Sequence, residues 1–294
     1  MASERMHHGW ILAGKRGLGK AAFAMAAARE LVAEPGVTQP ELHPDIIVLD
    51  HLPSNEDEEK KRADGKPFQT KRNITIDQIR RMQQRLFTRP TLGARRVIVI
   101  DPADDMEKGA VNALLKSLEE PPSGTFFLLV AHRPGRLLAT IRSRCRMLRF
   151  PNVTDAEIDS LLIRDAPQAD ALTRAAAIAA AEGSPGAALG FVEQELGALH
   201  GLMLRLVAEG DEHFVLRGAL AGEIGAKPDR ERQLATLDLA RAVLAAGLAG
   251  ATPPKQARIV EAHSALARLS AAAPTANFDA GLLAMEIGGL LASA

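Results

Sequence analysis

Three stretches of this chain carry residue types at a spacing suited to phosphate chemistry. In Gly14-Lys15-Arg16-Gly17-Leu18-Gly19-Lys20 the glycines let successive backbone N–H groups turn toward phosphate oxygens, and Lys20 can reach the terminal phosphates. In Val97-Ile98-Val99-Ile100-Asp101 a carboxylate ends an apolar, β-branched run, where it can hold a magnesium ion through water. Thr140-Ile141-Arg142-Ser143-Arg144-Cys145 adds two guanidinium groups. Two neighbours weaken any hydrolytic role. A phosphate loop needs a Ser or Thr after its lysine to coordinate magnesium, and Ala21 stands there. Hydrolysis needs a base for the attacking water, and the residue after Asp101 is Pro102. A methyl group and a pyrrolidine ring supply neither.

These residues need strands and helices to position them. Short apolar runs at 10–13, 46–50, 96–101, 126–131 and 147–150 predict strands, and helical spacing appears at 20–33, 77–87, 107–120 and 135–141. Strands alternating with helices predict crossover units, hence an α/β module with a mainly parallel sheet over residues 1–150. The 14–20 loop would then follow the first strand and open the first helix, so that the helix N-terminus adds its positive dipole end. Beyond residue 150 the strands stop. Residues 151–195 read as three short helices, with Thr154 and Glu157 as a capping box for the first. Residues 196–294 read as a further, Ala- and Leu-rich helical domain. The charged, aperiodic stretch 53–73 reads as a solvated, mobile loop.

Composition narrows the function classes. Hydrophobic residues make up 47% of the 294 residues but aromatics only 3%, so the cores must be built from Leu, Ala, Val and Ile. Lys+Arg and Asp+Glu are both 36, so no global positive field recruits nucleic acid and any DNA contact must be local. One cysteine, Cys145, excludes an intramolecular disulfide and a cysteine zinc site, and reads as a small buried hydrophobe. His7 and His8 are too close together for a metal site, and Trp10 reads as a core residue. Residues 1–8 show no apolar signal-peptide region and no stretch is long enough to span a bilayer, so a soluble, cytoplasmic chain is expected.

Asn112-Ala113-Leu114-Leu115-Lys116-Ser117-Leu118-Glu119-Glu120-Pro121-Pro122 reads as an amphipathic helix with Ala110, Leu114, Leu115 and Leu118 inward, halted by its prolines. The whole string, with Ser143-Arg144-Cys145 downstream, closely resembles the signature of bacterial clamp-loader subunits of DNA polymerase III, which belong to the AAA+ proteins. The resemblance is strong over about residues 7–195 and only architectural beyond. It implies an AAA+ P-loop module (1–150), a small helical lid (151–195) and an all-α collar for oligomerisation (196–294). The departures at Ala21 and Pro102 are similar to the delta-prime type, as is Gly186, which falls where hydrolysing relatives carry a lid arginine. His132 stands where active relatives commonly have threonines that sense the γ-phosphate, and no catalytic role is assigned to it.

The resemblance therefore implies a non-hydrolysing subunit that helps load the sliding clamp on primed DNA. Gly14, Gly17, Gly19, Lys20 and Asp101 would be a vestigial nucleotide site, and Arg144 would act in trans on ATP and magnesium held at the interface with a neighbouring subunit. No cofactor of its own is expected, and no zinc, because residues 34–44 lack the cysteines many relatives carry there. Relatives generally have a longer segment ahead of the His-Gly-Trp region to help enclose the adenine, so weaker nucleotide binding is expected here. The implied partners are the motor (gamma/tau) and delta subunits, the sliding clamp and, through the complex, primer-template DNA. Arg80 is the candidate DNA contact, made to phosphate rather than to base edges. The competing reading is a catalytically active AAA+ ATPase, a clamp-loader motor or helicase loader, and Ala21 and Pro102 speak against it. A P-loop kinase lacks any recognisable lid arginine cluster.

Overall fold

Among the described residues, short apolar runs form the strands β1 (Gly9–Ala13), β2 (Ile46–Leu49), β3 (Arg96–Ile100) and β4 (Thr125–Ala131), and the Arg-Met-Leu-Arg segment forms β5 (Arg146–Arg149). They come from a computed structural model that describes residues 6–66, 68–273 and 278–294. The reading of residues 1–8 as free of a signal peptide falls, for residues 1–5, outside the described residues. All five strands join one parallel sheet in the order β2-β3-β4-β1-β5. Among the described residues the helices α1 (Lys20–Val32), α2 (Glu56–Ala63), α3 (Ile76–Leu86), α4 (Lys108–Glu119) and α5 (Ala139–Arg142) accompany it.

Period-two alternation divides the strand residues between two apolar layers. On one face Leu12, Val97, Val99, Leu128 and Val130 pack against Ala24, Ala28 and Val32 of α1. On the other, Ile11, Ile98, Ile100, Phe127 and Leu129 meet Ile79 and Met82 of α3 and Leu114 and Leu118 of α4. All five residues of β3 are buried, as a parallel strand covered on both faces requires. The α/β expectation holds, with the strands and the longer helices within about a residue of the ranges read from sequence.

Two expectations need correction. The 53–73 stretch is not an aperiodic loop throughout, since it contains α2. Asn55 caps this helix through Glu58 N–H, four acidic residues fill its first turn and three basic residues follow, which suits the helix dipole. Buried Glu58 anchors it, pairing with Lys61 at 2.7 Å and accepting the Gln69 N–H at 2.6 Å. The 135–141 helix is instead a 3-10 turn at Pro134–Arg136 followed by the single turn of α5.

Asn152–Ala294 form a second unit. It holds α6 (Asp155–Asp165), α7 (Ala171–Ala181), α8 (Pro185–Glu193), α9 (Gly197–Glu209), α10 (Val215–Ile224), α11 (Arg230–Ala246), α12 (Pro253–Ala272) and α13 (Ala280–Ala292). Thr154 and Glu157 do form the capping box of α6. One apolar cluster, from Ile158 through Leu199, Met203, Leu237 and Leu266 to Ile287, runs through these helices and is built almost wholly of Leu, Ile and Ala. Among the described residues no helix is long and apolar enough to cross a membrane.

A buried ion pair fixes the sheet edge where β2 and β3 begin. Asp45 is fully buried and Arg96 nearly so, with Nη2 3.4 Å from the Asp45 carboxylate. That carboxylate also accepts the Thr91 and Leu92 N–H groups at 2.7–2.9 Å. Arg96 in turn donates to the Arg85, Thr88 and Arg89 carbonyls, tying down the turn between α3 and β3. Burial disfavours the charged Asp45, but the Leu92 and Thr91 N–H groups and Arg96 outweigh it and hold the carboxyl below its ordinary value. A depressed carboxylate stabilises the fold above its unfolded pKa, and this stability is lost as pH falls through the folded value. Acid titration of the unfolding midpoint should show that loss, and Asp45→Asn should flatten it. Arg96→Met, which strands a buried charge, should cost about 3–5 kcal/mol in urea unfolding at neutral pH.

Candidate functional site

At the end of β1 the chain turns through residues 14–20 into α1. Gly17 and Gly19 have φ of 80° and 75°, the left-handed values that only glycine adopts without strain, and Gly19 is the N-cap of α1. A side chain on Gly14 would stand 2.8 Å from the Phe150 carbonyl oxygen. The loop therefore has the backbone of a phosphate cradle. Its lysine is used internally, however. Lys20 is 2% exposed and its Nζ donates to the Lys15 carbonyl at 2.5 Å. Burial lowers its pKa against the attraction of Asp101 and Asp104.

The sheet order sets the ends of β3 and β4 beside this loop. Asp101 follows β3, and burial raises its pKa although Lys20 and Arg16 oppose the shift. His132 follows β4. Its backbone N–H donates to Asp104 at 2.9 Å, and its buried Nδ1 has no hydrogen-bond partner. Burial, reinforced by the charge of Lys20, pushes the imidazole down to about 4, so it is neutral at neutral pH. Gly14, Gly17, Gly19, Lys20 and Asp101 thus lie together at this end of the sheet, and His132, to which the sequence reading gives no role, lies with them. Ala21 and Pro102 stand among them and bring no side-chain oxygen. The donor set does not fit a magnesium-bound nucleotide poised for hydrolysis.

Arg144 lies at the other end of β1. Trp10 pairs with Arg146 across the β1–β5 register, so Arg144 sits just before the start of β1, while the phosphate loop leaves its finish. Five strand residues separate them, roughly 15 Å along the sheet. Arg144 follows α5, with its side chain one-third exposed. Nη1 donates to the Thr140 carbonyl at 2.9 Å and to Ser143 Oγ at 3.3 Å, and Nη2 pairs with Glu119 Oε1 at 2.5 Å. Glu119 has no role in the sequence reading. Its motif marks the position, but a partner 25 residues away leaves no periodic signal.

The remaining candidates lie apart from these. Arg80 is exposed on α3, 3.5 Å from Asp77. Gly186 is exposed in the first turn of α8, whose N-cap Ser184 accepts the Ala187 N–H. Cys145 packs partly buried against the sheet layer, and burial pushes its thiol up to about 11, which makes it inert at neutral pH. Trp10 is half-buried and donates its indole N–H to the His7 carbonyl at 2.9 Å. His7 and His8 stack, and His8 Nε2 lies 2.9 Å from the Leu118 carbonyl at the end of α4.

The family model described as "DNA polymerase III, delta subunit" matches residues 1–154, more than half of the chain. The chain belongs to the delta-prime family of DNA polymerase III subunits. Among its relatives is DNA polymerase III subunit delta' of Pseudomonas aeruginosa, 32% identical over 191 residues, or 60% of this chain and 53% of that one. The Escherichia coli K12 subunit delta' is 31% identical over 199 residues, 63% of this chain and 54% of that one. The chain thus spans about half the length of these curated relatives. The crystal structure of a DNA polymerase III gamma subunit-related protein from Thermotoga maritima superposes with a TM-score of 0.54 at 20% identity, covering 98% of this chain and 95% of that one. That likeness shows a fold shared with that protein.

Restoring one of the two missing groups should therefore not restore turnover. Phosphate release from ATP by the isolated chain is expected at background for the wild type and for Ala21→Thr, with and without primed DNA. Robust DNA-stimulated release by the wild type would refute the reading. Histidine NMR should place the His132 titration at about pH 4.

Proposed function

We propose that this chain is a non-hydrolysing delta-prime subunit of a cytoplasmic DNA polymerase III clamp loader, and that Arg144 completes the ATP site of a neighbouring subunit. The observation that carries this reading is the placement of Arg144 at the opposite end of β1 from its own phosphate loop. The chain's own loop lies roughly 15 Å away along the sheet, too far to bring a phosphate to this guanidinium, which supports a phosphate held by another chain as its partner. The guanidinium is permanently charged, with five N–H donors in a planar fork, and needs no metal or base to stabilise charge developing on a transferred phosphoryl group. Its partial exposure leaves it available to such a partner.

In this reading the defective pocket is retained for fold and interface. The buried lysine closes the 14–20 loop on itself, and the loop joins β1 to α1. Residues 151–195 serve as a lid and residues 196–294 as a collar that assembles with the motor (gamma/tau) and delta subunits. Membership in that complex brings the subunit to the sliding clamp and primer-template DNA, with Arg80 as a local phosphate contact on an exposed helix face. The chain is then part of a polymerase holoenzyme without being an ATPase itself.

The test is turnover of the assembled complex with Arg144→Ala. Loss of a trans arginine should slow the site it completes by about 10³-fold or more. Total ATPase activity should fall by that site's share, with assembly by mass measurement unchanged. Wild-type turnover in the variant complex would overturn the proposal.

A further inference from the structure

The Arg144–Glu119 contact is unusual for a residue that must act on another chain, because it turns the guanidinium back onto its own subunit. Glu119 is the last residue of α4, where the helix dipole is negative and a carboxylate gains nothing from it. A cation placed there is favoured on both counts. Nη1 is held by the Thr140 carbonyl and Ser143 Oγ and Nη2 by Glu119 Oε1, so a guanidinium that swings outward gives up all three contacts, of which the one to Glu119 is between opposite charges. The Glu119 side chain is 48% exposed, so it is rehydrated when released.

We propose that Glu119 is the positioning residue for Arg144, holding the guanidinium in a parked orientation that is given up to the phosphate oxygens of a neighbouring subunit's ATP. The inference rests on the trans role of Arg144 proposed above. Carboxylate and phosphoryl oxygens compete for the same N–H donors, and a triphosphate brings more negative charge than Glu119. Breaking the parked contact is then part of binding. That cost falls equally on the bound ground state and the transition state, so it raises KM and leaves kcat unchanged. Between partly exposed groups the contact is modest, and its removal should be worth about 2- to 5-fold.

The experiment measures ATP turnover by the complex assembled from this chain and its motor subunits, with wild type, Glu119→Gln, Arg144→Ala and the double variant. Glu119→Gln keeps the side-chain length and removes the charge. It is expected to lower the KM for ATP at the completed site by about 2- to 5-fold with kcat unchanged. The difference should narrow as salt is raised, because the parked contact is screened. Combined with Arg144→Ala, the same substitution should have no effect on KM. A purely structural Glu119 would instead change assembly or melting temperature and leave KM where it was. If Arg144→Ala abolishes the trans contribution while Glu119→Gln leaves KM unchanged or raises it, the parking role is overturned and the trans role stands. If Arg144→Ala changes nothing, both fall together.

Discussion

β1 is the strand on which the rest of the site depends. It pairs in parallel with β4 on one side and β5 on the other, so both of its ends are fixed by register. Its finish delivers the phosphate loop next to the ends of β3 and β4. Its start lies beside the segment that carries Arg144. Gly9 makes the second placement possible, since a Cβ there would stand 2.9 Å from Cys145 Sγ and 3.3 Å from the Arg144 carbonyl oxygen. The lack of a side chain at one strand position thus lets a loop 135 residues later settle against the sheet.

The two ends of β1 have been shaped differently. At the loop end, polar groups have turned inward: Lys20 is spent on a carbonyl of its own loop, and His132 is kept neutral by burial. At the arginine end the polar groups face solvent and hold one another through contacts that cost little to break. Burial closes off the loop end, whereas the guanidinium at the other end is partly exposed and weakly held.

The strands were legible because each apolar run is bounded by turn residues and, in β3, is wholly β-branched. The prolines after α4 and the glycines of the 14–20 loop mark their turns through local backbone chemistry, which the sequence displays directly. α2 escaped because it has no apolar face to give a period, and its sign, acidic residues before basic ones, reads equally as a solvated charge run. Its anchor, Glu58 on the Gln69 N–H, is a tertiary contact. The 135–141 segment escaped because a 3-10 turn and one α-turn together imitate a short helix. Arg144 could be named from its motif, but the Glu119 contact needs the fold, which alone brings the end of α4 to the end of α5.

β5 has a further consequence. It is an edge strand of four residues, all exposed, and two of them are Arg146 and Arg149. An open parallel edge offers unpaired N–H and C=O groups to any extended chain that drifts past. Shortness and flanking cations are the usual protection against such sheet extension, because a second strand would have to desolvate charge to pair for only a few residues.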